Sequence, residues 1–395
     1  MNRGSLYRAG LFLLLLTIIT AGCWDNKDLE RRALVLGAAV DLTAAGGDLA
    51  VTELWKITLE MPVLRRMVTR GGGGGGGGGG EGQDENTMPT WRLTLTGTTF
   101  AEAINKAATR SERTLFFGHQ KILLMGEELA RRGDLQSVLD WWARNRESYL
   151  AIEVLLAEGP AGGIMEARPK FARSVSLFLH EQAQQVIKTS RFVKHSLAEV
   201  LAALDAGRDI LLARVKMGPR QELEVSGAGV IREGRLAGWL TPAETQAALW
   251  ITGETKGCDI LVVPVPELQQ TLSVEFGKLQ AEVKPLMEED KLSFTIKIKV
   301  EGKIAEKMGN PKLLAAADLQ QVENRAARLM EERIRQVLGK LQQQYQADVL
   351  GFGRKVEKVR PRQWEAMKGQ WRQIYASLPV TVQVKVNIRR TGMVS

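Results

Sequence analysis

Cys23 and the residues before it constrain this chain most. Leu11-Phe12-Leu13-Leu14-Leu15-Leu16-Thr17-Ile18-Ile19-Thr20-Ala21-Gly22 runs directly into Cys23, and the residues upstream include Arg3 and Arg8 and no acid. A basic start, a short apolar run and small residues before a cysteine have the form of a secretory signal peptide. A cysteine at such a cut is the residue that bacterial lipoprotein processing acylates and leaves as the new N-terminus. The apolar core, Ala9 to Ala21 at its widest, falls short of the roughly 20 residues that a spanning helix requires. Cys23 is therefore the expected lipid-attachment site, with the body of the chain held on the outer face of a membrane. A diacylglyceryl group supplies two chains, and stable anchoring takes more than one. Thr20 departs from the Leu, Val or Ile usual in such signals.

The same cysteine limits how the fold is held together. The chain has only two cysteines. With Cys23 acylated, Cys258 has no partner, so stability must come from packed cores. Cys258 lies in Gly257-Cys258-Asp259-Ile260-Leu261-Val262-Val263, a strand-like run in which it reads as a small core hydrophobe. At 395 residues there is chain for two or three domains of about 100–200 residues each. Hydrophobic residues make up 44% and charged residues 25%, and no run after Cys23 approaches spanning length, so a soluble body is expected. The net charge is +9, and loss of Arg3 and Arg8 with the signal leaves +7. That suits a neighbourhood of anionic lipid or wall polymer. Dispersed charge in an extracytoplasmic chain argues against nucleic acid.

Residues 31–41 contain Ala-Leu-Val-Leu-Gly-Ala-Ala-Val, which suits a buried strand, and 49–60 alternate as a second one. Gly71 to Gly80 are ten consecutive glycines. Such a tract buries no side chains and loses the most backbone entropy on ordering, so a flexible loop at 70–90 is expected. Its acidic flank, Glu81 to Glu85, is wrong for a phosphate cradle. Strands at Trp91–Thr96, Lys121–Met125 and Ala151–Ala157 alternate with helices. One is capped by Thr98 or Thr99 and runs to about Glu112. The next is capped by Asp134 and carries Leu135, Val138, Leu139 and Trp142 on one face. Ser174–Lys188 and His195–Leu204 read as helices of a connecting layer.

From Gln221 the pattern turns to β. Leu223 to Ile231, a Glu233-Gly234 turn and Arg235 to Leu240 suggest a hairpin. Thr241-Pro242 starts a helix. Strands are expected at Asp259–Pro264, Gln270–Val283, Leu292–Glu301 and Val380–Ile388. A long helix spans about Pro311 to Leu350, stopped by Gly351-Phe352-Gly353, and a further one carries Trp364, Met367, Trp371, Ile374 and Tyr375. The fold class is α+β, or mixed α/β, the C-terminal part being an antiparallel sheet packed with long helices. The expected division is a signal peptide over 1–22, an α/β unit over 23–195, a connecting region over 196–220 and an α+β unit over 221–395.

Catalytic constellations are missing from the sequence. The three histidines, at 119, 180 and 195, have no metal-ligand spacing, and His-Glu-x-x-His, Cys-x-x-Cys and Gly-x-Ser-x-Gly do not occur. No enzyme, metal or cofactor is expected, and no catalytic residue is assigned. Gly118, Gly126, Gly229 and Gly238 are expected at turns or close contacts, and Trp239, Trp364 and Trp371 in the core.

The opening block, Gly22-Cys23-Trp24-Asp25 and then Asp28 to Asp41, resembles the start of the GerC, or Ger(x)C, family of spore germination lipoproteins. Gly118 to Ala130 is similar to that family's strand-to-helix segment. Gly227-Ala228-Gly229-Val230-Ile231 through Leu240 is similar to the opening of its C-terminal domain, and Asp348 to Gly353 with Trp364 and Trp371 to its end. These blocks follow the family order across nearly the whole mature chain. The resemblance implies a mixed α/β fold in three parts and a site on the outer face of the spore inner membrane. It implies a non-enzymatic role as the C subunit of a nutrient germinant receptor. The implied partners are a membrane-embedded A subunit and a permease-like B subunit. Of functional positions it carries over only the acylated Cys23. The decaglycine tract is a departure from the family pattern. The competing expectation is a lipoprotein that itself captures a nutrient, which calls for two similar α/β lobes around a cleft.

Overall fold

The computed structural model describes residues 31–44, 53–63, 89–133, 135–186, 191–255, 259–289, 291–309 and 316–390. Cys23, the tract Gly71 to Gly80, Asp134 and Cys258 lie outside the described residues.

The apolar run expected as one strand is two, β1 (Arg32–Leu34) and β2 (Gly37–Ala44). Between them the N–H groups of Val35 and Leu36 bond to the carbonyls of Phe116 (2.9 Å) and Glu60 (2.8 Å). There the chain leaves a small pair with β5 (Thr114–Phe116) and enters the main sheet. β3 (Glu53–Pro62), β4 (Thr90–Gly97) and α1 (Phe100–Asn105) follow β2. Thr99 caps α1, its hydroxyl accepting from the Glu102 N–H at 3.1 Å. The helix tightens to a 3-10 turn that ends at Thr109, short of the expected Glu112.

After β5 come β6 (Ile122–Met125), α2 (Glu127–Arg132), α3 (Leu135–Arg144), β7 (Glu153–Ala157), α4 (Ala161–Met165), α5 (Val175–Val186), α6 (Leu197–Asp205) and β8 (Ile210–Met217). β9 (Leu223–Arg232) and β10 (Arg235–Leu240) form the expected hairpin about Glu233-Gly234, both residues having positive φ. Among the described residues the main sheet has eight strands in the order β10-β9-β8-β7-β6-β2-β3-β4. Its centre, β2, β6, β7 and β8, is parallel, and an antiparallel pair flanks it on each side.

Parallel strands need crossovers, and these put helices on both faces. One face packs on α1, α2, α3 and α6 through Phe100, Leu129, Leu135, Leu139, Trp142, Leu197 and Val200. The other packs on α4 and α5 through Ile164, Met165, Val175 and Leu179. The two helices expected as a connecting layer therefore cover opposite faces of this sheet. Residues 196–220, expected as a connector, contribute the interior strand β8. β9 and β10, expected in the C-terminal unit, add to the same sheet through β8, because the two-residue turn pairs them to each other and β9 pairs back onto β8.

The second layer begins with α7 (Pro242–Thr252), opened by a capping box of Thr241 and Glu244. Then come β11 (Asp259–Val265), β12 (Gln270–Glu288), β13 (Lys291–Gly309), α8 (Ala316–Gly339), α9 (Phe352–Val359), α10 (Pro361–Met367), α11 (Trp371–Ser377) and β14 (Val380–Arg390). β11, β12 and β13 are antiparallel as expected, but β14 runs parallel to β13. The segment between β13 and β14 is a helical crossover, not a hairpin, so it returns the chain in the same direction. α8 buries Val322, Ala326, Met330, Ile334 and Val337 against the sheet, and a π turn over Lys340–Tyr345 continues it. It stops at Gln346, which is left-handed at φ 48, ahead of the glycine pair expected to end it. Gly351-Phe352-Gly353 instead opens α9.

Candidate functional site: a polar clamp between the two sheets

The two sheets share one apolar cluster. Val230 and Leu240 of the first sheet join α7, the inner face of the second sheet and α8 in it. A polar seam runs along its margin, built by the β9–β10 hairpin on one side and the end of α8 on the other. The Lys340 ammonium donates to the Trp239 carbonyl (3.1 Å) and to both Glu244 carboxylate oxygens (3.0 and 2.9 Å). The Tyr345 hydroxyl donates to the same Trp239 carbonyl at 3.0 Å, and Arg232 donates to the Tyr345 carbonyl at 3.0 Å. This approach requires Gly238, because a Cβ there would stand 2.5 Å from the Tyr345 ring. On its far side the Trp239 indole N–H donates to Glu127 at the start of α2 (3.2 Å). Burial raises the Glu127 and Glu244 carboxyls, but bonds led by Arg131 and Lys340 outweigh it and hold both below the ordinary range.

A carboxylate pair locks the other end of the seam. Asp209, ahead of β8, accepts from the Asp348 N–H at 2.8 Å and from the Glu233 N–H at 3.3 Å. Asp348 in turn accepts from the N–H groups of Phe352 (2.8 Å) and Gly353 (2.7 Å) and from the Trp371 indole (3.0 Å). It thereby satisfies the first orphan donors of α9. Arg372 lies 3.9 Å from Asp209 and 3.0 Å from Glu233. Burial dominates the electrostatics here. It pushes Asp348 up to about 6, against its three donors and with Asp209 adding to the rise. Burial also raises Asp209 and the nearby Tyr375 phenol.

Buried acids brace the first sheet in a similar way. Asp41 accepts from the Ala161 and Gly162 N–H groups, each at 2.7 Å, at the start of α4. Glu60 accepts from Val175 and Ser176 at the start of α5. Each satisfies helix donors that have no partner within the helix.

The expected side chains fall into place around this frame. Gly126 meets Asp41, Gly229 meets Leu156 and Gly238 meets Tyr345, so these are close contacts rather than turns. Trp239, Trp364 and Trp371 are half-buried and packed on the two cores, less enclosed than expected. His119 stacks edge-on to Phe116, His180 stands 3.2 Å from Glu153, and burial lowers His195. No group of three or more His, Cys, Asp and Glu side chains placed to hold a metal occurs among the described residues. The sequence did not mark Asp209, and it marked Asp348 only as the first residue of the block that resembles the family's end, with no role for its carboxylate. The only signal available was an acid beside a strand and an acid ahead of a Gly-Phe-Gly helix start. Their arrangement ties the segment ahead of β8 and the β9–β10 turn to the start of α9.

A doubly covered mixed sheet is clamped to a second, helix-backed sheet, and known proteins share this plan. The family model described as "Spore germination protein N-terminal domain" matches residues 25–217. The one described as "Spore germination B3/ GerAC like, C-terminal" matches 226–392. The chain belongs to this GerC-type family of spore germination proteins. It is 27% identical to spore germination protein YndF of Bacillus subtilis (strain 168) over 98% of this chain and 97% of that one. It is 24% identical to spore germination protein KC of the same organism, over 97% and 95%. The crystal structure of the GerBC protein superposes with a TM-score of 0.59 at 18% identity, covering 90% of this chain and 99% of that one, so the fold is the same.

Proposed function

We propose that this chain is the lipid-anchored C subunit of a spore nutrient germinant receptor, acting without catalysis. Its acyl group sits on Cys23, and its body lies on the outer face of the spore inner membrane. Its partners are the membrane-embedded A subunit and the permease-like B subunit, and its task is receptor assembly and signalling. Membership of the spore germination family over both halves of the chain carries this reading. The signal-like run before Cys23 supports the anchor. No helix among the described residues is long and apolar enough to cross a membrane. The clamp supports a role in transmission, since neither sheet can turn on the other without breaking the Lys340, Tyr345 and Asp348 contacts. The alternative, a nutrient-capturing lipoprotein, calls for two similar lobes, whereas the two sheets here differ in strand number and in covering.

Disruption of the gene in its host tests the role. Nutrient-triggered germination is expected to fail while germination forced by dodecylamine persists. Normal response to every nutrient in a strain free of paralogues overturns the receptor reading. Labelling with a radioactive fatty acid tests the anchor: label on the parent that is lost in Cys23→Ala is expected, label that survives places the lipid elsewhere, and an unlabelled parent carries none.

A further inference from the structure

Among the described residues the second sheet is covered on one face only. Its inner face, Ile296, Ile298, Val300, Val382 and Val386, is buried under α8. Its outer face is set by register. Gln280, Lys299 and Lys385 lie side by side across β12, β13 and β14. Glu282, Lys297 and Gln383 form the next row, and Lys284 with Thr295 the one after. In the other direction come Lys278 with Glu301, and Lys303 with Glu275. Over these rows, with Arg389, seven cations face three carboxylates, a net of +4; the rows beyond them add Lys291, Glu288 and Glu306 and leave +3 over the longer face.

The imbalance is local and open to water. Lys278, Lys284, Lys297, Lys299, Lys303, Lys385 and Arg389 are all exposed. Three of them are paired, Lys284 to Glu282, Lys303 to Glu275 and Arg389 to Glu301. Among the described residues no carboxylate stands within ion-pair distance of Lys278, Lys297, Lys299 or Lys385. Lys299 and Lys385 are direct cross-strand neighbours, an arrangement that destabilises a sheet unless something offsets the repulsion. The face is about 10 Å across three strands and about 27 Å along the nine residues 295–303 of β13. That is the shape of a surface contact, not of a pocket for one ion. The Glu282 carboxyl reports the same field: its bond to Lys284 lowers it first, and Lys297 and Lys299 lower it further.

We propose that this outer face, centred on Lys297, Lys299 and Lys385, docks on the anionic lipid surface of the membrane to which the chain is tethered. Lysines near an anionic leaflet each strengthen binding about fivefold, and the attraction fades within a Debye length. Docking adds a second membrane contact to the acyl group and fixes which way the body faces. The choice of lipid over another polyanion rests on the tether proposed above, but the face itself does not.

The test uses the mature chain, residues 23–395 with Cys23→Ser, so that no acyl group contributes. Its binding to phosphatidylglycerol-containing vesicles and to pure phosphatidylcholine vesicles is measured by sedimentation. Binding to the first alone is expected, weakening as salt rises. The variant Lys297→Ala, Lys299→Ala, Lys385→Ala is expected to bind about a hundredfold more weakly. A control, Arg146→Ala, Lys170→Ala, Lys358→Ala, removes the same charge elsewhere and is expected to bind almost as well as the parent. All six positions are exposed, and unchanged urea midpoints verify folding. Failure to bind anionic vesicles overturns the proposal, as does equal loss in both triple variants. Tighter, face-dependent binding to a soluble wall polymer or an acidic protein than to vesicles overturns the lipid assignment. An unlabelled Cys23 in cells with intact vesicle binding here would sink the tether and leave the basic face standing.

Discussion

The two sheets solve the same problem differently. The first has helices on both faces, and its central strands read as near-continuous apolar runs, with Ile122, Leu123, Leu124 and Met125 all fully buried. The second, among the described residues, has helices on one face, and β13 and β14 alternate between buried aliphatics and exposed polar residues. A sheet covered twice is committed to the fold, and substitutions in it act through stability. A sheet covered once has a face to spare, and substitutions there can act on partners while the fold stays intact. The clamp ties the second kind of surface to the first kind of scaffold.

The largest expected effect tests whether the scaffold governs the whole body. Trp142 is fully buried in the first sheet's core, and its indole donates to the Gln120 amide oxygen at 2.8 Å. Trp142→Ala is expected to cost about 3–5 kcal/mol, with an orphaned Gln120 adding to the loss. Urea unfolding followed by circular dichroism and by fluorescence measures it. Because the clamp and the shared cluster join the sheets, both signals are expected to shift together. A second-sheet transition that stays in place would mean the two layers fold independently.

Two adjacent residues sharpen the comparison within the second sheet. Ile298 faces α8 and is 1% exposed, whereas Lys299 beside it is exposed on the outer face. Ile298→Ala is expected to cost about 2–5 kcal/mol. Lys299→Ala is expected to change stability by less than about 0.5 kcal/mol, and to raise it if relief of the Lys385 repulsion dominates. Equal effects would mean that the outer face is not free.

That alternation was legible in the sequence. The period of two over Val380 to Ile388 and the helical period from Val322 to Tyr345 each report on neighbours within one element. Local chemistry was legible as well, in the caps at Thr99 and Thr241 and the Glu233-Gly234 turn. What could not be read were pairings between distant segments. β14 lies parallel to β13 because of the crossover between them, and no periodicity encodes direction. β9 and β10 carry a generic hairpin pattern that does not say which sheet they join. Asp348 and Asp209 are 139 positions apart, and an isolated acid gives no sign that its partner is another acid. The anchor proposed at Cys23 is the reverse case, resting on a strong local signal at a residue outside the described ones.

A smaller effect tests the clamp by pH. Asp348 has a folded-state value of about 6 against an ordinary 3.8. The folded chain holds that proton more tightly than the unfolded chain. The buried carboxylate is therefore unfavourable above about pH 6, and stability is gained as pH falls through 6 toward 4. Relative to Asp348→Asn, the parent is expected to gain on the order of 1 kcal/mol between pH 7 and pH 5. An asparagine cannot accept from Phe352, Gly353 and Trp371 at once, so the variant is less stable at both values, but its difference from the parent must grow on acidification. Urea midpoints of the two proteins at each pH supply the comparison. A constant difference would assign the pH dependence to Asp209, Asp41 or Asp259, which burial also raises.

The smallest expected effect concerns the sheet edges, where the two layers again differ. β4, at one margin of the first sheet, has the carbonyls of Thr94 and Thr96 covered by Arg110 (3.0 Å) and Lys106 (3.1 Å). β14, at a margin of the second, is guarded by acids instead. The N–H groups of Val384 and Ile388 donate to Glu331 (3.0 Å) and Glu323 (2.7 Å) of α8. Open edges template association with other strands, and such side chains block it. Glu331→Ala is expected to cost only about 0.5–1 kcal/mol, since water can replace the carboxylate at a partly exposed edge. Its clearer consequence is concentration-dependent association, read by light scattering and absent from the parent. The matching change at the first sheet, Lys106→Ala, leaves Thr96 with an unfilled acceptor but no free row of donors, so it is expected to associate less than Glu331→Ala. If the two variants associate equally, edge protection is a property of charge alone, and the one-sided sheet is no more exposed to partners at its margin than the two-sided one.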